Sequence, residues 1–588
     1  MKLIYRGILA AIMVATLAVE AQTLAHPGWR GNGVTTDPWW KHAVIYEIYP
    51  RSFQDSDGDG IGDLKGITQR LDYLQTLGVD AIWLTPIFPS PQKDFGYDIS
   101  DYTAIDPQYG TMDDFDELMR EASRRGIRVI MDLVLNHTSD QHPWFIESAS
   151  SRTNPKRDWY IWHDGKPAEA GASQPLPPNN WVDRLAQPAW QYDAHTGQFY
   201  YHFFAKEQPD LNWRNPAVKT AMFDAARFWL SHGVAGFRLD AVNTLFEDPT
   251  LRDAPTAPGT NEYGEPALSQ EYQRNLPEVH GVMRDLRRVS DSYTGQRILI
   301  GEVYTNSTAE LAPWYGPHHD ELQLPMDTSL GFLNKLDAAT LRRKLEEAAT
   351  QLNGNTPLFV FDNHDRPRSW DRYGDGTHNS QIAKIIATIL LASRSAALVY
   401  EGQEIGMATT PVTRKEDVRD PRGIDGWPKE KGRDGERTPM QWTGDAKAGF
   451  TTGTPWLPIP DSTNTTNVDA EQKSDTSLFN WYRQLIALRK SNAALRDGAI
   501  TLLDHDAENA LVWVRSVPPG ASQRSPLVIA CNLSEKPVTL HLHDQVKRLG
   551  LRGSFLRPIL RSDDNFGPLN LDSVTLAPFT TFIGELRF

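Results

Sequence analysis

A single cysteine, Cys531, stands in 588 residues. One thiol excludes an intramolecular disulfide and any thiolate metal cluster. It lies in Leu527-Val-Ile-Ala-Cys-Asn-Leu533, an apolar run that reads as a core strand and argues against a reactive thiol. Basic charge is the scarcer sign, with 60 Lys and Arg against 75 Asp and Glu and a net charge of -15. The chain therefore lacks the cationic surplus that a nucleic-acid backbone or an anionic membrane demands, and suits a neutral substrate. Repeats and low-complexity tracts are missing too. Beyond the first 25 residues no apolar run is long enough to span a bilayer, so neither nucleic acid nor membrane is an expected partner.

What is present begins with a targeting pattern. Lys2 and Arg6 form a basic n-region, and Ile8 to Val19 is an apolar stretch of twelve residues. Val19 with Ala21, or Thr23 with Ala25, offers small residues for cleavage. A signal peptide over 1–25 is predicted, with a periplasmic or secreted mature chain.

The length exceeds what one core sustains, so a large domain with insertions and a smaller companion is expected. Apolar runs at 43–48, 81–84, 128–133, 236–240, 298–301, 358–361 and 397–400 read as buried strands, with a weaker one at 321–324. Amphipathic patterns at 67–77, 113–125 and 218–232 read as helices between them. Eight strands alternating with helices predict an α/β fold, a closed (β/α)8 TIM barrel over 26–136 and 208–503. Residues 137–207 are rich in Trp, Pro and Asn without helical periodicity, and read as a subdomain inserted after the third strand. A Gly/Pro/Thr-rich excursion at 408–475 follows the last strand. Short alternating runs at 510–515, 527–532 and 538–542 predict an all-β sandwich over 504–588.

Barrel enzymes carry their chemistry at the C-terminal ends of the strands. Here Asp240 closes Gly236-Phe-Arg-Leu-Asp240, Glu302 follows Ile298-Leu-Ile-Gly301, and Asp365 ends Asp362-Asn-His-Asp365. A fourth strand runs into Asp132-Leu-Val-Leu-Asn-His137. Glycosidic cleavage needs one acid to protonate the leaving oxygen and a second carboxylate against the developing cation. Acids on successive strand ends supply that pair.

These segments resemble the ordered regions of the α-amylase superfamily (glycoside hydrolase family 13), from about Trp39 to the C-terminus. Gln208-Pro-Asp-Leu-Asn212 and Arg433-Asp-Gly-Glu-Arg-Thr-Pro-Met440 are similar to its α-glucosidase and oligo-1,6-glucosidase branch. The resemblance implies a retaining, exo-acting α-glucosidase with Asp240 as nucleophile, Glu302 as general acid/base and Asp365 holding the distorted sugar. It implies that Arg238 pairs with Asp240 and keeps it ionised, that His137 and His364 hydrogen-bond the same glucose, and that Tyr97 stacks on it. Asp94 with Arg433 would bind the 4- and 6-hydroxyls and close the pocket behind one sugar, while Phe204 and Gln208 shape the leaving-group side. Ala241 matches a position where Ala or Thr accompanies α-1,4 and Val α-1,6 preference, so maltose-like substrates are expected. The stretch Asn180-Trp-Val-Asp-Arg-Leu-Ala-Gln187 departs from the family pattern of an aromatic and a Gly-Gly pair. That leaves acceptor sugars or alcohols as alternatives to water.

Asp55-Ser-Asp57-Gly-Asp59-Gly-Ile61-Gly-Asp63 has the spacing of a calcium loop, the Ile61 carbonyl included, without the Glu of a full EF-hand. A structural Ca2+ is expected there, with Mg2+ the alternative. Two rival readings remain. One is an enzyme that mainly transfers glucose or isomerises a disaccharide. The other is a silent relative serving as an interaction subunit, which would lack the acids that are present here.

Overall fold

The computed structural model describes residues 38–588 apart from 172, 262–263, 332, 505–506, 524, 564 and 566. The expected signal peptide at 1–25 lies outside the described residues. Eight parallel strands close a barrel in sequence order: β1 Val44–Ile48, β2 Ala81–Leu84, β3 Arg128–Val134, β4 Gly236–Asp240, β5 Ile298–Gly301, β6 Leu324–Asp327, β7 Leu358–Val360 and β8 Ala396–Tyr400. Its interior is packed by Ile45, Trp83, Ile130, Ile300, Met326 and Leu398, interleaved with the small Ala43, Ala81, Ala235 and Ala396. Each large apolar side chain removed from water contributes roughly 1.5–3 kcal/mol. The alternation of sizes lets eight strands meet at one axis. Gly236 opens β4 at φ 146°, and a Cβ there would sit 2.0 Å from the Ile298 carbonyl oxygen of β5. Only glycine allows that approach.

The helices form where the apolar period indicated, with local signals setting their ends. Met112–Arg124 starts at a capping box in which Thr111 and Asp114 bond each other's backbone, and it buries Phe115, Leu118 and Ala122. Pro216–Ser231 begins with proline at its first position behind the Asn215 cap. Two expectations shift. The helix foreseen over 67–77 is two helices, Leu64–Gln69 and Leu71–Leu77, broken at Arg70. The Arg70 guanidinium is drawn to Gln54 (2.6 Å) and over the Trp442 ring (4.1 Å). The weaker strand expected at 321–324 is instead β6, Leu324–Asp327. Pro325, without an N–H, disguises it, and Glu321 is instead engaged by His280 and Arg284.

The segment after β3 contains a small antiparallel sheet of Trp162–His163, Trp190–Asp193 and Gln198–Tyr201. It also contains a helix that periodicity did not reveal, Pro143–Ser150, capped by His142. Downstream of the barrel, a six-stranded antiparallel sheet and a separate pair of strands form the β-rich C-terminal region, interrupted by the helix His543–Arg548. Its first strand, Ile500–Leu503, begins before the expected boundary at 504. Cys531 lies on the strand Leu527–Asn532, fully buried, with its thiol pushed up to about 12 by burial. No helix among the described residues is long and apolar enough to cross a membrane.

Candidate active site

Parallel register places the acids. Asp132 pairs with Arg238 and Val134 with Asp240 across β3 and β4, while Ile300 of β5 lies opposite Arg238. The Glu302 N–H then donates to the Leu239 carbonyl (3.0 Å), which carries Glu302 to the same rim as Asp240. Directly after β4 the chain turns left-handed at Ala241 (φ 40°, ψ 44°), and the Ala241 N–H donates to Glu302 Oε2 (3.0 Å). The Tyr304 hydroxyl donates to Glu302 Oε1 (3.0 Å).

Beneath this rim Arg238 is fully buried and shared among three carboxylates. Its Nη1 donates to Asp240 Oδ1 (2.7 Å) and Asp132 Oδ2 (3.0 Å). Its Nη2 lies 2.8 Å from Glu302 Oε1, an ion pair whose angle is poor for a hydrogen bond. The expectation that Arg238 pairs with Asp240 holds as geometry, but its effect on charge is outweighed. Burial, with repulsion from Glu302, Asp132 and Asp365, pushes Asp240 well above the usual carboxylate range despite Arg238. Asp132 rises to about 6, chiefly through burial. One guanidinium shared among three carboxylates does not offset the burial of Asp240 and Asp132.

Asp365 is biased the other way. Burial alone would raise it, but His364, Arg433 and Arg437 hold it well below the ordinary value. Arg433 Nη1 and Arg437 Nη2 both donate to Asp365 Oδ1, at 2.8 and 2.9 Å. Arg433 also donates to Asp94 Oδ1 (2.5 Å) and grips Asp420 through Nε (2.7 Å) and Nη2 (2.9 Å). A buried two-pronged clamp of this kind holds the guanidinium in one orientation. The excursion after β8 thereby closes one side of the barrel mouth.

Apart from Gln208, Arg238 and His364, every residue expected at the site lines one pocket of about 310 Å3. Gln208 borders the adjoining cavity, with its Nε2 3.0 Å from His137 Nε2 and 3.2 Å from Asp94 Oδ2. His364 sits behind Tyr97, its ring stacked on the phenol at 5.4 Å and its Nε2 3.6 Å from Asp365 Oδ1. His137 reaches the pocket against Phe204, its Nε2 3.0 Å from the Tyr97 carbonyl oxygen. Burial lowers His137 to about 4, so the ring is neutral. The Tyr97 hydroxyl donates to Asp132 Oδ2 (3.0 Å).

Several residues escaped sequence reasoning. Tyr304, two positions after Glu302, was within reach of it. Glu47 was not: it sits inside a strand of uniform burial, yet its Oε1 lies 2.6 Å from His364 Nδ1 while Oε2 has no partner. Burial pushes Glu47 well above the carboxylate range. Asp420 carries no local signal, while Arg437 and Arg184 lie inside segments the sequence singles out, at positions to which no role was assigned.

Around the separate acidic loop, carboxylate oxygens of Asp55, Asp57 and Asp63 lie within 4.8 Å of one another, and Asp59 is outside that group. Asp55 is desolvated, but bonds from Thr451 and the Gly58, Gly60 and Asp57 N–H groups pull it below its ordinary value. Asp63 caps the helix Leu64–Gln69. Hard oxygen donors at this spacing suit a calcium or magnesium ion.

Comparison with known proteins agrees with the geometry. Residues 47–498 match the α-amylase catalytic domain family. A probable α-glucosidase of Rhizobium meliloti is 42% identical over 79% of this chain and 85% of its own length. An oligo-1,6-glucosidase of Parageobacillus thermoglucosidasius is 39% identical over 86% and 92%. Among solved structures, an α-glucosyl transfer enzyme superposes with a TM-score of 0.83 at 38% identity, covering 94% of this chain and all of that one. An isomaltulose synthase of Erwinia rhapontici reaches 0.83 at 33%, with the same coverage. The chain belongs to the α-amylase family of glycoside hydrolases.

Proposed function

We propose that this protein is an exo-acting, retaining α-glucosidase of short α-glucosides, preferring maltose-like α-1,4 links. The observation that carries the reading is a single pocket holding Asp240 and Glu302 at its floor and the Asp94–Arg433 pair at its wall. A charged pair across one side leaves room for a terminal sugar and blocks passage of a longer chain. Relatives bearing the names α-glucosidase and oligo-1,6-glucosidase support the activity.

In this reading Glu302, oriented by the Tyr304 hydroxyl and the Ala241 N–H, is the proton donor to the glycosidic oxygen. Arg238, at its shortest contact, stabilises the anionic form of Asp240. Asp240 attacks the anomeric carbon as Glu302 protonates the departing oxygen, giving a β-glucosyl ester. Glu302 then takes a proton from water, which displaces Asp240 and releases α-glucose. Asp365, kept ionised by two guanidiniums, holds hydroxyls of the distorted ring. His137 and Tyr97 offer a neutral imidazole and an aromatic face to the same glucose.

An alcohol or sugar in place of water makes the enzyme a transglucosidase, a second reading favoured by the cavity of about 410 Å3 beside the pocket. The likeness to a glucosyl transfer enzyme and an isomaltulose synthase supports it. Asp55, Asp57 and Asp63 would hold a structural Ca2+ or Mg2+ remote from these steps. Export follows from the pattern of residues 1–25, and amino-terminal sequencing of the mature chain tests it. Asp240→Asn and Glu302→Gln are each expected to fold and to lose at least about a hundredfold in turnover of maltose. Azide is expected to rescue Asp240→Ala as β-glucosyl azide. Turnover retained in both variants would overturn the roles.

A further inference from the structure

We infer that the leaving-group side of this pocket is built for an aglycone or acceptor carrying an anion, a carboxylate or phosphate on an apolar body, held by Arg184 and Arg422. The inference rests on the α-glucosidase reading and deepens it. Arg184 belongs to the stretch where the sequence departs from its family, and it lines both the catalytic pocket and the adjoining cavity. Its backbone N–H is tied to the Phe203 carbonyl (2.9 Å), which sets the direction of the residue. Its guanidinium makes no ion pair or hydrogen bond among the described residues, and its central carbon lies 5.8 Å from the Phe204 ring. Arg422 arrives from the other wall, on the short helix Pro421–Gly426. It has one carboxylate partner, Glu430 at 3.1 Å, and its buried Nε has none.

The acids around the same cavity are already engaged or turned to solvent. Asp94 is held by Arg433 and Gln208. Asp183 accepts the N–H groups of Leu185 (2.7 Å) and Gln187 (2.9 Å). Asp425 is exposed. Burial, and after it the neighbouring charges of Arg184 and Arg433, lower Arg422 to about 10. Leu185, Phe204 and Pro421 line the same cavity as the two arginines and supply its apolar surface. A neutral disaccharide uses the hydroxyl-binding capacity of such a site. An anionic ring uses its charge as well.

The test is the hydrolysis of 4-carboxyphenyl α-glucoside against its uncharged counterpart, 4-carbamoylphenyl α-glucoside. The carbamoyl group withdraws electrons at least as strongly as the carboxylate, so intrinsic reactivity works against the expected result. Charge-assisted hydrogen bonds predict a kcat/KM ratio of about tenfold in favour of the carboxylate at low salt. The ratio is expected to fall as NaCl is raised and to approach unity in Arg184→Gln, with Arg422→Gln intermediate. The uncharged substrate reports folding of each variant, and the wild-type ratio needs no variant at all. Equal efficiency on both glucosides in the wild type would overturn the inference and leave the α-glucosidase reading intact. A preference that survives both substitutions would overturn the assignment to these residues. If maltose and both aryl glucosides were inert, the α-glucosidase reading itself would fall.

Discussion

Replacing Ala241 by valine tests linkage choice where backbone and substrate meet. The Ala241 side chain is 1% exposed on the pocket wall, one residue past Asp240. Its left-handed backbone costs an L-residue roughly 1–2 kcal/mol, and a β-branched residue is still less tolerant of it. A stability loss of about 1–3 kcal/mol is therefore expected, read as a lower melting temperature. Two added methyl groups beside the scissile bond crowd a directly attached second ring, whereas a 1,6-linked ring stands one bond further off. Such a difference discriminates by about 1–3 kcal/mol, or about 10–200-fold. The assay is the ratio of kcat/KM for maltose to that for isomaltose. The wild type is expected to favour maltose, and Ala241→Val to move the ratio toward isomaltose by at least about tenfold. Should the substitution merely displace the N–H that serves Glu302, both substrates would lose kcat together and the ratio would stand. Ala241→Gly, free of the left-handed cost, should retain maltose preference and melt no lower than wild type. An unchanged ratio in the valine variant, or a wild type equally efficient on isomaltose, would refute the reasoning.

Chelation is expected to lower the melting temperature, because a ligand bound only by the native loop is lost. Asp57→Ala should melt low already and respond little to chelator, and a variant melting like wild type would remove the claim. The His137 ring, lowered to about 4 by burial, should stay neutral at pH 6. The unfolded chain takes up a proton there that the native ring refuses. Stability from the neutral ring is thus fully present above about 6.5 and lost as pH falls toward about 4. Ring-carbon NMR shifts with a midpoint above 6 would contradict this.

Much of the fold was legible because its signals are local. Strands buried on every side read as continuous apolar runs, and seven of the barrel strands lie where such runs stand. The acids at their ends were legible because barrel geometry sends strand ends to one rim. Asp240 and Glu302 meet there through the register of β4 and β5. Where a local signal was absent, the boundary slipped, as with Pro325 inside β6 and Arg70 between two helices. Pro143–Ser150 was missed for a related reason: only Phe145 and Ser148 of its eight residues are buried, too few to show a period.

By itself the sequence determined the order of the strands, the identity of the strand-end acids and the family, all properties of contiguous segments. Tertiary structure decided the electrostatics. Nothing local to Gly236–Asp240 shows that one guanidinium serves Asp132, Asp240 and Glu302 together, or that burial raises Asp240 and Asp132 despite it. Nothing local to the excursion at 408–475 shows that Arg433 meets Asp94, 339 positions away in the chain. Charge interactions depend on distance through space and on the water excluded between groups, and both exist only once the barrel has closed.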